Sequence, residues 1–130
     1  MTIVRVKDTR GSLMAIEEFS PVPFSIKRVF VISNIPPTAV RGCHAHFKSD
    51  QYLIVVSGSC TIILDDAHDV KEYHLTHQDD GLFQSHGVWG EMKDFSHDCV
   101  LLVVASDLYN ANDYIHDYEY FKKWKLSHES

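Results

Sequence analysis

An all-β domain closed by one C-terminal helix is the fold class this chain predicts. Two observations carry the prediction. Short apolar runs follow one another along most of the sequence, separated by Gly, Pro, Asp, Asn and Ser turn signals. Near the C-terminus the period changes: Ile115, Tyr118, Phe121 and Trp124 recur at every third position, the mark of a helix with one apolar stripe. Many short strands followed by a terminal helix imply a barrel or sandwich.

The elements follow in order. Runs 3–6 and 13–17 flank Asp8-Thr9-Arg10-Gly11, a turn. Run 26–32 is strongly β-forming, with Val29 and Val31 on one face and Phe30 and Ile32 on the other. Asn34-Ile35-Pro36-Pro37 breaks it. Run 43–47 comes next. Runs 52–56 and 61–64 flank Ser57-Gly58-Ser59, a hairpin turn. Asp65-Asp66-Ala67-His68-Asp69 is a second exposed turn, and runs 70–75, 82–84, 88–92 and 99–105 continue the pattern. Asn112 or Asp113 is placed to cap a helix reaching about Lys125, its stripe docking on the sheet or on a second subunit.

The 130 residues fit one domain, 1–130, with a core that needs no disulfide staples. The net charge of −6 argues against nucleic acid as a partner, so an anionic small ligand requires a local cluster of Arg or Lys. Cys43, Cys60 and Cys99 are far apart and odd in number, which fits free thiols in a reducing compartment. The N-terminus lacks an apolar signal core, and the longest apolar run, 100–105, is too short to span a membrane. A cytoplasmic protein with no membrane partner is expected.

The most informative stretch is Arg41-Gly42-Cys43-His44-Ala45-His46. In a strand, His44 and His46 share one face, and histidine is the side chain that titrates nearest neutrality. The pair suggests a metal site or a proton-transfer site. His-x-His on a strand, then Asp50, then the turn glycine Gly58, resembles the cupin superfamily. That resemblance implies a jelly-roll β-barrel, here with the C-terminal α-helix read from the apolar period. Metal-binding cupins take a further histidine from a later strand, and the position after Trp89 where it is expected holds Gly90. His86 lies four residues earlier, in the turn before the strand. Asp50 or Gln51 can offer an oxygen, but a catalytic metal normally takes about three protein ligands. Acid–base chemistry is therefore the leading reading, and no metal or other cofactor is assigned.

Along nearly its whole length the chain is similar to the WxcM-like cupins, the nucleotide-sugar 3,4-ketoisomerases. The match rests on Arg10-Gly11-Ser12-Leu13 with Glu17-Glu18, on the run from Pro23 to Val29, and on the histidine segment. It continues through Gly58-Ser59-Cys60, Ile63-Leu64-Asp65-Asp66, Trp89, Glu91-Met92, Asp94-Phe95-Ser96 and Asp98-Cys99-Val100. Ala105-Ser106-Asp107 and Asp113-Tyr114-Ile115, followed by Tyr118 and Phe121, complete it. The resemblance implies a metal-independent isomerase. It would convert dTDP-4-keto-6-deoxyglucose to a 3-keto-6-deoxyhexose on the way to 3-amino-3,6-dideoxy sugars. It also implies a homodimer with exchanged N-terminal strands. Where relatives often have a histidine after the tryptophan, this chain has Gly90.

Such a reaction removes the C3 proton, passes through an enediolate and reprotonates C4. His46 is expected as the carbon base and His44 as its shuttling partner, although spacing does not rank them. Arg41 suits the diphosphate or the sugar oxygens, and Arg28, beside Lys27, supplies a second cation. Gln51, Trp89 and Glu91 are candidates for the cavity wall. The competing readings are a non-catalytic sugar- or nucleotide-binding cupin, a metal-dependent cupin oxygenase and a nucleotide-sugar 3,5-epimerase.

Overall fold

A computed structural model of the chain describes residues 3–129. The elements run β1 (Val4–Asp8), β2 (Gly11–Ala15), β3 (Glu17–Glu18), β4 (Pro21–Val22), β5 (Arg28–Ser33), β6 (Arg41–His46), β7 (Gln51–Ser57) and β8 (Ser59–Asp65). They continue with β9 (Val70–Thr76), β10 (Leu82–Gln84), β11 (Trp89–Lys93), β12 (Val100–Ala105), a 3-10 turn at Ala111–Asp113, β13 (Tyr114–Ile115) and α1 (Tyr118–Ser127). Every predicted run from 26 onward finds its strand within about two residues, the ordinary uncertainty of element ends.

The strands form two principal sheets that face each other. One is ordered β10-β7-β12-β5 and the other β13-β6-β11-β8-β9. This is the all-β jelly-roll architecture, but the sheets keep open edges and do not close into a single barrel. The alternation of side chains sorts the apolar residues into three layers. Ile32, Leu53, Val55, Cys60, Ile62, Met92, Leu101 and Val103 fill the space between the sheets. Tyr52, Ile54 and Val104, on the outer side of β7 and β12, are covered by Ile3, Val22 and Phe24 from the N-terminal segment. Ala45 and Trp89, on the outer side of β6 and β11, are covered by Ile115 and Phe121.

The C-terminus departs from the sequence reading. Asn112 and Asp113 do not cap the helix; Asp117 does, its side chain accepting from Tyr120 N. Tyr114 and Ile115 are drawn out as β13 because they pair with His46 and Ala45 on the open edge of β6. Satisfying that edge outweighs extending the helix by one turn. Ile115 still joins Phe121 in one apolar cluster, so the three-residue stripe reports a shared face across a strand and a helix. Among the described residues no helix is long and apolar enough to cross a membrane.

Candidate active site

One end of the inter-sheet space is polar. His44 and His46 point into it from β6, with ring centroids 5.0 Å apart and planes perpendicular. Tyr114 from β13 lies against both, at 4.9 Å from His44 and 4.5 Å from His46. Gln51 enters from β7, and Arg28 from β5. The Arg28 guanidinium sits 4.4 Å over the Phe30 ring and donates to the Tyr114 hydroxyl at 3.4 Å. Arg28, Arg41, His44, Gln51, Met92 and Tyr114 line a cavity of about 200 Å³. That is smaller than a pocket for a whole drug-sized ligand, and two arginines stand in its lining.

Arg41 reaches this cavity because β6 is irregular. In an unbroken strand Arg41 and His44 would face opposite sides. Gly90 pairs with His44 and Glu91 with Gly42, so Cys43 is an extra residue without a partner on β11. The bulge changes the parity of the strand and brings Arg41 onto the histidine side. Gly42 and Cys43 both take positive φ, 80° and 55°. A Cβ on Gly42 would also stand 3.0 Å from the Gly90 carbonyl oxygen, so position 42 favours glycine on two counts.

The histidines are held differently. His44 Nδ1 lies 3.0 Å from the Gly42 carbonyl, which can only accept, so Nδ1 carries the proton and Nε2 keeps a lone pair. His46 is engaged at both nitrogens: Nδ1 with Asp113 Oδ2 at 3.3 Å, and Nε2 with Gln51 Nε2 at 3.1 Å. Burial pushes His44 from its ordinary 6.5 down to about 4, helped by repulsion from His46 and His116 and opposed by the Gly42 hydrogen bond. Burial also lowers His46, against the pull of the Asp113 carboxylate. Both rings are thereby held neutral at pH 7, the form in which an imidazole accepts a proton.

Two expected wall residues go elsewhere. Trp89 and Glu91 alternate with Gly90 along β11 and so project from the opposite face. Trp89 is buried against Tyr118 and Phe121 of the helix, and its indole N–H donates to Glu91 Oε2 at 3.0 Å. The inward position between them is Gly90, and a Cβ there would stand 2.5 Å from Gln84 Nε2. The buried Gln84 side chain occupies that space and donates to the Val88 carbonyl. Asp50 is bound to His86, with Oδ1 accepting from its main-chain N–H at 2.8 Å and lying 2.7 Å from Nδ1. Both nitrogens of His46 are thus engaged, and Asp50 is bound to His86. Among the described residues no group of three or more His, Cys, Asp and Glu is placed to hold a metal ion.

Sequence reasoning missed Asp113 and Tyr114 as parts of the site. Both fall in the segment Asp113-Tyr114-Ile115 that carries the family resemblance, which was the available signal.

Residues 1–126 match the family model described as "FdtA: WxcM-like, C-terminal". The chain is 48% identical over 120 residues, 92% of this chain and 86% of the other, to the TDP-4-oxo-6-deoxy-alpha-D-glucose-3,4-oxoisomerase of Aneurinibacillus thermoaerophilus. A 3,4-ketoisomerase from Helicobacter canadensis superposes with a TM-score of 0.90 at 42% identity, covering 96% of this chain and 94% of that one. A variant of the 3,4-ketoisomerase QdtA from Thermoanaerobacterium thermosaccharolyticum, crystallised with TDP-4-keto-6-deoxyglucose, gives 0.92 at 35% identity, covering 98% and 92%.

Proposed function

The chain belongs to the WxcM-like C-terminal family, and from that membership we propose how its site works as a sugar-nucleotide 3,4-ketoisomerase. The enzyme is an isomerase that converts dTDP-4-keto-6-deoxy-D-glucose to the 3-keto-6-deoxyhexose. The observation that carries the reading is a neutral imidazole, His44, whose free Nε2 faces a cavity that also holds Arg28 and Arg41.

The C3 proton of the substrate is acidified by the adjacent C4 ketone. His44 Nε2 removes it, giving an enediolate across C3 and C4. A proton moves from the C3 oxygen to the C4 oxygen, and protonated His44, after exchanging its proton with solvent, protonates C4. The net change relocates the ketone and involves no oxidant. This exchanges the sequence-based ranking of the two histidines, because both His46 nitrogens are engaged, by Asp113 and Gln51. His46 assists the transfer between oxygens through Gln51. The Tyr114 hydroxyl and the arginines are the donors that stabilise the enediolate, a role that often outweighs proton transfer itself. Arg28 and Arg41 together suit the diphosphate, which a chain of net charge −6 can bind only where cations are gathered.

The working form is a homodimer with exchanged N-terminal strands. Val4, Val6 and Leu13 of the N-terminal hairpin are about half exposed, as are Val29 and Val31 on β5, an open sheet edge. Covering these together removes both an apolar surface and an unpaired edge. The three free cysteines fit a reducing cytoplasm.

Incubation with dTDP-4-keto-6-deoxyglucose, followed by NMR of the sugar ring, tests the function. The expected product is the 3-ketone, with solvent deuterium at C4 in D2O. Unchanged substrate, or exchange at C5 instead, would sink the assignment.

A further inference from the structure

Asp113 makes three contacts that no other carboxylate in the described chain makes. Its Oδ1 accepts from Lys48 N at 2.8 Å; its Oδ2 accepts from Ser49 N at 3.1 Å and lies 3.3 Å from His46 Nδ1. It thus fastens the β6–β7 turn and the histidine at once, from a segment 64 or more residues away in sequence. A carboxylate accepts only, so the hydrogen shared with His46 belongs to Nδ1. His46 Nε2 is then a lone pair. The buried Gln51 presents its amide nitrogen to that lone pair at 3.1 Å, which satisfies both groups. Gln51 Oε1 is left as the free end of the carboxamide, on a residue that lines the cavity.

We propose that Asp113 is a positioning residue that sets the polarity of a relay, Asp113–His46–Gln51, so that Gln51 offers the sugar an acceptor oxygen rather than a donor N–H. The relay explains why a site that must hold hydroxylated substrate carries a carboxamide on the second histidine. An acceptor there orients the substrate hydroxyl whose proton must travel between C3 and C4. The proposal rests on the isomerase reading for its purpose but not for its geometry.

The consequence of Asp113→Ala follows from the same three contacts. Alanine removes the acceptor that faces His46 Nδ1, together with those of Lys48 N and Ser49 N. The carboxylate then no longer holds the proton on Nδ1, and the tautomer with the proton on Nε2 becomes populated. In that tautomer Gln51 reverses and exposes its NH2 to the cavity.

Nitrogen-15 NMR of the ring nitrogens reads this directly on the ligand-free protein, with the His46 signals assigned by their loss in His46→Asn. The wild-type ring should be protonated at Nδ1 and unprotonated at Nε2, and Asp113→Ala should shift the proton toward Nε2. The variant's kcat should fall at least about tenfold, in line with the usual loss when a partner orienting an imidazole is removed. A wild-type ring protonated at Nε2, or an unchanged pattern in the folded variant, would overturn the proposal. If the variant fails to fold, the wild-type tautomer alone decides. Failure of the isomerase reading would appear separately, as an inactive wild-type enzyme with the tautomer intact.

Discussion

His44 and His46 sit two residues apart on one strand, yet their surroundings give them different work. One ring is anchored by its own strand's Gly42 carbonyl and keeps a free nitrogen; the other is clamped from β13 and β7. We expect His44→Asn to lower turnover by about 10²- to 10⁴-fold, the worth of a positioned general base, with the fold retained. His46→Asn should also be impaired, but only His44→Asn should abolish deuterium incorporation at C4. Near wild-type exchange in His44→Asn would remove it as the carbon base. The pH dependence follows from burial. Folded His44 is neutral down to about 4, whereas in the unfolded chain it takes up a proton near 6.5. Between those values the unfolded state binds more protons, so stability falls as pH drops through that window and the loss is complete below it. The acid limb of kcat/KM should accordingly lie near 4, and a limb centred at 6.5 would show that the ring is not desolvated as described.

Strand β6 is the element on which the site depends, and its bulge does the placing. Gly42 stands at φ 80° with the Gly90 carbonyl beside it, and the unpaired Cys43 follows at 55°. Gly42→Ala should destabilise the protein by about 1–3 kcal/mol, the cost of a strained non-glycine conformation. Because the bulge aims Arg41, the variant should raise KM for the sugar nucleotide more than a surface change of equal stability cost. A denaturant titration beside steady-state kinetics checks both, and unchanged KM in a destabilised variant would separate the bulge from substrate binding. On the opposite face of the same sheet, α1 contributes no side chain to the cavity. Its Phe121 is fully buried against Trp89, so the helix supports the histidine strand from behind.

At the scale of the molecule, the two sheets divide their labour along the sandwich: an apolar core through most of its length, and a polar end where Gln51, Gln84 and the histidines meet. The exposed valines of β5 and the N-terminal hairpin are what an isolated chain leaves uncovered. Sedimentation should report about twice the 14.9 kDa chain mass. Removing residues 1–18 should abolish the dimer or its solubility, and a compact, fully active monomer after that deletion would defeat the strand exchange.

The sequence by itself determined the strand runs, their turns, and the pair of inward histidines, because a two-residue period and Gly, Pro and Asp punctuation act locally. Its ordered motifs also identified the family. It did not determine which side chains line the cavity. Trp89 and Glu91 were expected there, and the alternation of β11 turns them to the helix instead. Arg41 joins the histidines only because a bulge against β11 shifts the parity of β6. Local sequence offers Asn112 or Asp113 as a helix cap, the local use of such side chains. The open edge of β6 pulls the neighbours of Asp113 into β13 and sets that carboxylate on His46. Edge pairing, register and contacts across tens of residues are properties of the assembled sheets, and no window along the chain contains them.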